Sequence, residues 1–251
     1  MFGNLRSQSR FVGYLAGIPL FIHWSAAFLA ISAYYRSDGG IEGGILALIS
    51  LIAGVVLHEL GHGLTARSCG ASGLTITLWA MGGLCESRRD PSNLLREILI
   101  VAAGPAVSLV LWLGSKFLLS WLIAHHPGLI FQGGGPSLLG HFLHIFQQVQ
   151  FMLLMFNLLP IYPLDGGQLT FLGTLAVSRN LLLARQVSLF LAVLGALVWI
   201  AWATGLFAAF ASGAPDPVGV WLHGAAQDPL FTVLVVVFMA VLLQSAFSRL
   251  H

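Results

Sequence analysis

The chain has 251 residues, of which 57% are hydrophobic and only 8% charged, and a formal net charge of +2; its mean hydropathy is +0.89. A soluble domain carries about 25% charged residues, so this composition excludes an ordinary soluble globule. The near-neutral charge, without a basic patch studded with aromatics, gives no footprint for nucleic acid.

Most of the length is therefore available for bilayer spans of about 20 apolar residues each. Arg6 and Arg10 precede an apolar stretch, as in a signal peptide. Gly13, Gly17, Pro19 and His23 interrupt that stretch and it runs past a normal h-region, so a retained first span is expected. Residues 11–22, broken by glycines and Pro19, read as short strands. The first span is expected over Phe21 to Tyr35, followed by a turn at Arg36 to Gly40, and the second over Ile45 to Arg67. Residues 72–86 contain Thr75, Ile76 and Thr77 between glycines, the pattern of a small hairpin. Cys69 and Cys85 are the only cysteines, form no CxxC pair, and are expected to be reduced.

Glu86 to Pro91 is a polar loop, and Asn93 is placed to cap the next helix. The third span is expected from Leu94 to Ala124, a loop from His125 to Pro136, and the fourth span from Leu138 to Leu159, ended by Pro160 and Pro163. A short helix follows Asp165, and two further spans cover Val187 to Phe210 and Leu230 to Phe247, joined by Ser212 to Pro229. The fold class is thus an α-helical integral membrane protein of about six spans with a small β-sheet or hairpin at the cytoplasmic face. It reads as one polytopic unit over residues 1–251, with a core over 11–180, spans over 187–248 and no soluble appendage. With both termini cytoplasmic, Arg6, Arg10, Arg67, Arg88, Arg89, Arg96, Arg179, Arg185 and Arg249 all fall inside and Arg36 outside, as the positive-inside rule requires.

The chemistry begins at His58-Glu59-Leu60-Gly61-His62, near the cytoplasmic end of the second span. An ionisable residue at bilayer depth costs about 2.5–3.5 kcal/mol on insertion scales, which makes it a candidate for function. Positions i and i+4 share a helical face, so His58 and His62 can hold one Zn²⁺, with Glu59 beside it as acid/base. Catalytic zinc usually takes three protein ligands. Asp165, in Asn157-Leu-Leu-Pro-Ile-Tyr-Pro-Leu-Asp-Gly-Gly167, is a candidate third ligand, or else simply caps the following helix. His125, His126, His141 and His144 read as interfacial polar residues, and His23 with Trp24 as an anchor or a cleft lining.

These residues resemble the site-2 protease family of intramembrane zinc metalloproteases. The resemblance rests on H-E-x-x-H in a span, on Ala103-Gly104-Pro105-Ala106 with Ser108 in the next, and on the N-x-x-P-x-x-P-L-D-G-G run. Gly17-Ile18-Pro19 and His23-Trp24 are similar to the family's N-terminal segment, so that residues 11–180 are covered. The resemblance implies one zinc per chain held by His58, His62 and Asp165, with Glu59 as acid/base. It also implies cleavage of a transmembrane protein substrate within the lipid bilayer, and a substrate- or oxyanion-binding role for Asn157. Residues Thr75, Ile76 and Thr77 would pair with an unwound substrate strand, or the hairpin would only lid the site. Gly104-Pro105-Ala106 reads as a close-packing element against the catalytic helix. Without a PDZ or CBS domain, the chain is similar to the compact six-span prokaryotic branch, and substrate selection falls to its spans, its loops or a regulatory membrane partner. The competing class is an intramembrane metal transporter or channel using His and Asp ligands, which would string polar residues along several spans. A catalytically silent scaffold would not need Glu59.

Overall fold

The computed structural model describes residues 8–29, 31, 40–80, 82–88, 92–212, 216, 218 and 229–250. They fall into two compact units, Met1–Phe156 and Asn157–His251.

The first unit opens with a hairpin, β1 (Ser9–Leu15) and β2 (Ile18–His23), as the broken apolar stretch predicts. Its turn has Ala16 at φ 48° and Gly17 at φ 77°. The left-handed region favours glycine, and non-glycine Ala16 is held there with its carbonyl accepting a 2.7 Å hydrogen bond from Arg67. A short 3-10 turn, Trp24–Ala26, follows β2. The expected first span therefore cannot begin at Phe21, which is already paired in the sheet. Residues 27–29 and 31 are helical, and the rest of that span up to Tyr35 lies outside the described residues.

Helix α1 runs Gly40–Ser68, and β3 (Ser72–Trp79) and β4 (Gly82–Arg88) form the predicted hairpin. The four strands make one sheet in the order β1-β2-β3-β4. β2 and β3 are parallel, pairing Leu20 with Ile76 and Phe21 with Thr77. Parallel neighbours need a long crossover, and α1 lies within it. The helix packs on the sheet through glycine: a Cβ at Gly63 would stand 2.8 Å from Ile18 Cδ1 and 3.4 Å from Cys85 Sγ.

Helix α2 (Leu94–His125) starts at the predicted cap, where Asn93 Oδ1 accepts from Arg96 N at 3.1 Å. It meets α1 closely, since a Cβ at Gly61 would lie 2.8 Å from the Ala103 carbonyl oxygen. The expected loop after it is structured. A single helical turn, α3 (Pro127–Ile130), leads into a two-stranded ribbon, β5 (Phe131–Gln132) and β6 (Gly135–Pro136). Ile130 packs with Leu122 and Leu143 in a small apolar core, which accounts for the order. Helix α4 (Leu138–Asn157) closes this unit.

In the second unit, the proline-bearing stretch 158–164 leads into α5 (Asp165–Ser178) and α6 (Leu181–Ala203). Asn180 caps α6 by accepting from Leu183 N at 3.1 Å. The expected fifth span starts earlier, at Leu181, and stops at Ala203, because Gly205 at φ 83° breaks it from α7 (Leu206–Ala211). Helix α8 (Pro229–Leu250) is the last. Most of the expected connection from Ser212 to Pro229 lies outside the described residues.

Among the described residues, α1, α2, α4 and α6 are long and apolar enough to cross a bilayer, and Val235–Ser248 adds a shorter apolar helix. At about 1.5 Å per residue, α1 and α2 exceed the roughly 30 Å of a hydrocarbon core. The protein is a multi-pass membrane protein.

Candidate metal centre

The i, i+4 spacing on α1 brings His58 and His62 together as the sequence predicts. Their Nε2 atoms are 3.2 Å apart and both side chains are buried. Helix α2 holds the other side of each ring. His62 Nδ1 donates to the Ile100 carbonyl at 2.7 Å, and His58 Nδ1 is 2.9 Å from Ser108 Oγ. A carbonyl only accepts, so the His62 proton is on Nδ1 and its Nε2 is the basic nitrogen. The Ser108 hydroxyl accepts as readily as it donates; when His58 carries its proton on Nδ1, both Nε2 lone pairs face each other, the form that a cation between them requires. Two nitrogens bound tetrahedrally to one zinc at about 2.0–2.1 Å are about 3.3–3.4 Å apart. The pair therefore fits a zinc ion in spacing, and in tautomer when His58 donates through Nδ1; partners on the far nitrogens are what orient such ligands.

Gly104 makes this approach possible. A Cβ there would stand 2.7 Å from His58 Nε2 and would collide with the His62 ring. Ile100, Gly104 and Ser108 are spaced by four, one face of α2, so the Ala-Gly-Pro-Ala-x-Ser run is a close-packing element against α1, as expected. Pro105 lies within the helix.

Glu59 is 7% exposed. Its carboxyl group lies against Gly83 of β4, where a Cβ would come within 2.6 Å of Oε1. The hairpin thus forms one wall beside this carboxylate. Gly83 and the Ile100 carbonyl escaped sequence reasoning. The doublet Gly82-Gly83 was the available signal for the first, and a backbone carbonyl leaves none.

Asp165 belongs to the second unit and is 7% exposed. The cap position of α5 is Leu164, which makes no side-chain capping bond, and Asp165 is the first residue of the helix. The capping alternative is therefore not the geometry adopted. The preceding chain folds back tightly: a Cβ on Gly166 would strike the Leu158 and Leu159 carbonyls, and one on Gly167 would strike Ile161 and Tyr162. Gln168 Nε2 ties this turn by donating to the Pro163 carbonyl at 2.9 Å. Asn157 is half-buried at the end of α4.

Thr75, Ile76 and Thr77 are buried in an inner strand. Thr75 pairs with Glu86, while Ile76 pairs with both Leu20 and Cys85, and Thr77 with both Phe21 and Leu84. A substrate strand has no open edge at Thr75–Thr77. The edge of this hairpin is β4.

The remaining histidines have local roles. His23 caps the 3-10 turn through Ser25 N and Oγ, and Trp24 is exposed. His141 lies 3.7 Å from Glu42, and His144 contacts Gln148 at 3.0 Å. Both cysteines are free thiols.

The sequence profile of peptidase family M50 matches residues 46–201. A Synechocystis sp. protein whose name describes a zinc metalloprotease is 33% identical over 177 residues, covering 66% of this chain and 44% of that protein. Stage IV sporulation protein FB of Bacillus subtilis is 32% identical over 135 residues, 53% of this chain and 42% of that one. The chain thus spans less than half the length of these curated relatives. The solved structure of the site-2 protease from Methanocaldococcus jannaschii superposes with a TM-score of 0.54 at 25% identity, covering 87% of this chain and 94% of that chain.

Proposed function

The chain belongs to peptidase family M50, the site-2 proteases, and from this we propose that it is an intramembrane zinc endopeptidase that hydrolyses a peptide bond in or near a transmembrane segment of a membrane-protein substrate. The observation that carries the reading is the facing pair of His58 and His62 nitrogens, each ring held on its far side by α2, with a buried carboxylate one residue away.

His58, His62 and Asp165, each offering one ligand atom from a buried side chain, are the proposed zinc ligands, with one ion per chain. Bound zinc supplies Lewis acidity, which makes water nucleophilic at about neutral pH and polarises a carbonyl. Glu59 takes the proton from the attacking water and delivers it to the leaving nitrogen, so no covalent acyl-enzyme forms. Ser108 and the Ile100 carbonyl hold the two rings. Asn157 is proposed to hydrogen-bond the substrate or the developing oxyanion.

A peptide bond in an intact helix is shielded by its own hydrogen bonds, so the substrate must unwind locally before Glu59 can act on it. The β4 edge, carrying Gly83 beside Glu59, is the proposed place for the extended segment, by strand addition. We assign six spans in all, both termini in a prokaryotic cytoplasm, and the sheet and metal ligands near that face, on the arginine distribution. A regulatory membrane partner fits the short loops. Transport of a metal would need further ligands along its path.

Co-expression with candidate single-span membrane proteins tests the reading. A shortened product is expected with the wild type and not with Glu59→Gln, and products equal in both would assign the cleavage to another enzyme.

A further inference from the structure

Two turns of α1 that precede His58 carry a second polar cluster, unrelated to the zinc ligands. Gln150 of α4 and Ser50 of α1 are both fully buried, at 0% exposure, in helices long and apolar enough to span the bilayer. The Gln150 amide sits in the notch left by Gly54: a Cβ there would lie 2.9 Å from Oε1 and 3.0 Å from Cδ. Its Nε2 donates a long 3.5 Å bond to the Ser50 carbonyl. Among the described residues, Gln150 Oε1 and Ser50 Oγ have no partner.

Two such atoms in a bilayer interior are costly, because no bulk solvent can satisfy them. Flipping the amide does not help, since it would set Oε1 against the Ser50 carbonyl, acceptor against acceptor. A donor hydroxyl and an acceptor oxygen on contacting residues that do not bond each other are the setting for a bridging water. We propose that Ser50 and Gln150 hold one buried water in the seam between α1 and α4. The water donates to Gln150 Oε1 and accepts from Ser50 Oγ, and Gly54, by lacking a side chain, admits the Gln150 amide that forms one side of the site. The site does not depend on the chain being a protease.

Hydroxyl-radical labelling by X-ray pulses, on the full chain in lipid nanodiscs, reads the water directly, because a bound water generates radicals beside otherwise inaccessible side chains. Leu46 and Leu154 are buried and lie one turn from Ser50 and from Gln150 on the same faces; Met239, at 0% exposure, is the dry control. Normalised to intrinsic reactivity, Leu46 and Leu154 should label several-fold above Met239, and in Ser50→Ala, Gln150→Met they should fall to its level. If that double variant does not fold, Ser50→Ala alone is read, together with its thermal midpoint. Removing one partner of a bridged water lowers the midpoint, whereas removing an atom that is simply unpaired raises it. Labelling of the wild type no stronger than at Met239, labelling that persists in the variants, or a raised midpoint in Ser50→Ala would each overturn the site.

Discussion

Gly83 of β4 leaves room for the side chain of Glu59: any Cβ at this position would come within 2.6 Å of the Glu59 Oε1 atom. Gly104 of α2 stands in the same relation to the imidazoles, 2.7 Å from His58 Nε2. The two glycines separate the parts of the site. Gly83→Ala should displace the carboxylate and leave the histidines alone, so zinc content is kept while turnover falls by about 10²-fold, the usual consequence of a misplacement near 1 Å. Gly104→Ala should instead drive the rings apart and reduce bound zinc, with an overpacking cost of about 1–3 kcal/mol. Metal analysis and a cleavage assay on both variants check the contrast. Zinc loss in Gly83→Ala, or full occupancy in Gly104→Ala, would contradict the assignment of the two walls.

The Ser108 hydroxyl is the hydrogen-bond partner of His58 Nδ1. Ser108→Ala removes that partner and its hold on the ring. Zinc affinity should drop by about 10–100-fold, the range for lost outer partners of metal histidines. A competition titration with a chelator of known affinity measures it, and an unchanged constant would show that the Ile100 contact on His62 orients the pair alone.

Much of this was legible in the sequence, and the parts that were not have definable reasons. His58 and His62 follow from helical spacing, the strands near residues 11–22 from glycines and Pro19 breaking an apolar stretch, and those at 72–86 from β-branched residues between glycines. The parallel pairing of Leu20 with Ile76 is a tertiary relation, made across an entire helix, and local pattern cannot reveal it. That pairing turned Thr75–Thr77 from a candidate docking edge into an inner strand. The first expected span was started too early because Phe21 and Ile22 are as apolar as a helix while serving a sheet. Ile130, packed on Leu122 and Leu143, ordered a stretch that composition marked as loop. The buried Gln150 follows Gln147 and Gln148 in the same helix, and nothing in the sequence says which of the three amides meets α1.

Unwinding of the substrate leads to a prediction about substrate rather than enzyme. Gly, Asn or Pro near the scissile bond should speed cleavage, and a leucine-rich version of the same segment should slow it, because the helix must open before its carbonyl is exposed. Ile76→Pro removes the N–H of a strand paired on both sides, so it should lower the stability of the sheet as a whole. Equal rates on helix-weakened and leucine-rich substrates, measured with the wild type, would show that unwinding does not limit the reaction.

In the proposed mechanism a zinc ion held by His58, His62 and Asp165 works with Glu59 as acid/base on a membrane-embedded peptide bond. Purified wild type and Glu59→Gln, reconstituted with a transmembrane substrate, test it when zinc per chain and the mass of each product are measured on the same samples. Both proteins should hold about one zinc, and only the wild type should cut, with Glu59→Gln slower by about 10²–10⁴-fold or more. Comparable cleavage by Glu59→Gln, or wild type that cuts while holding no zinc, would contradict the account.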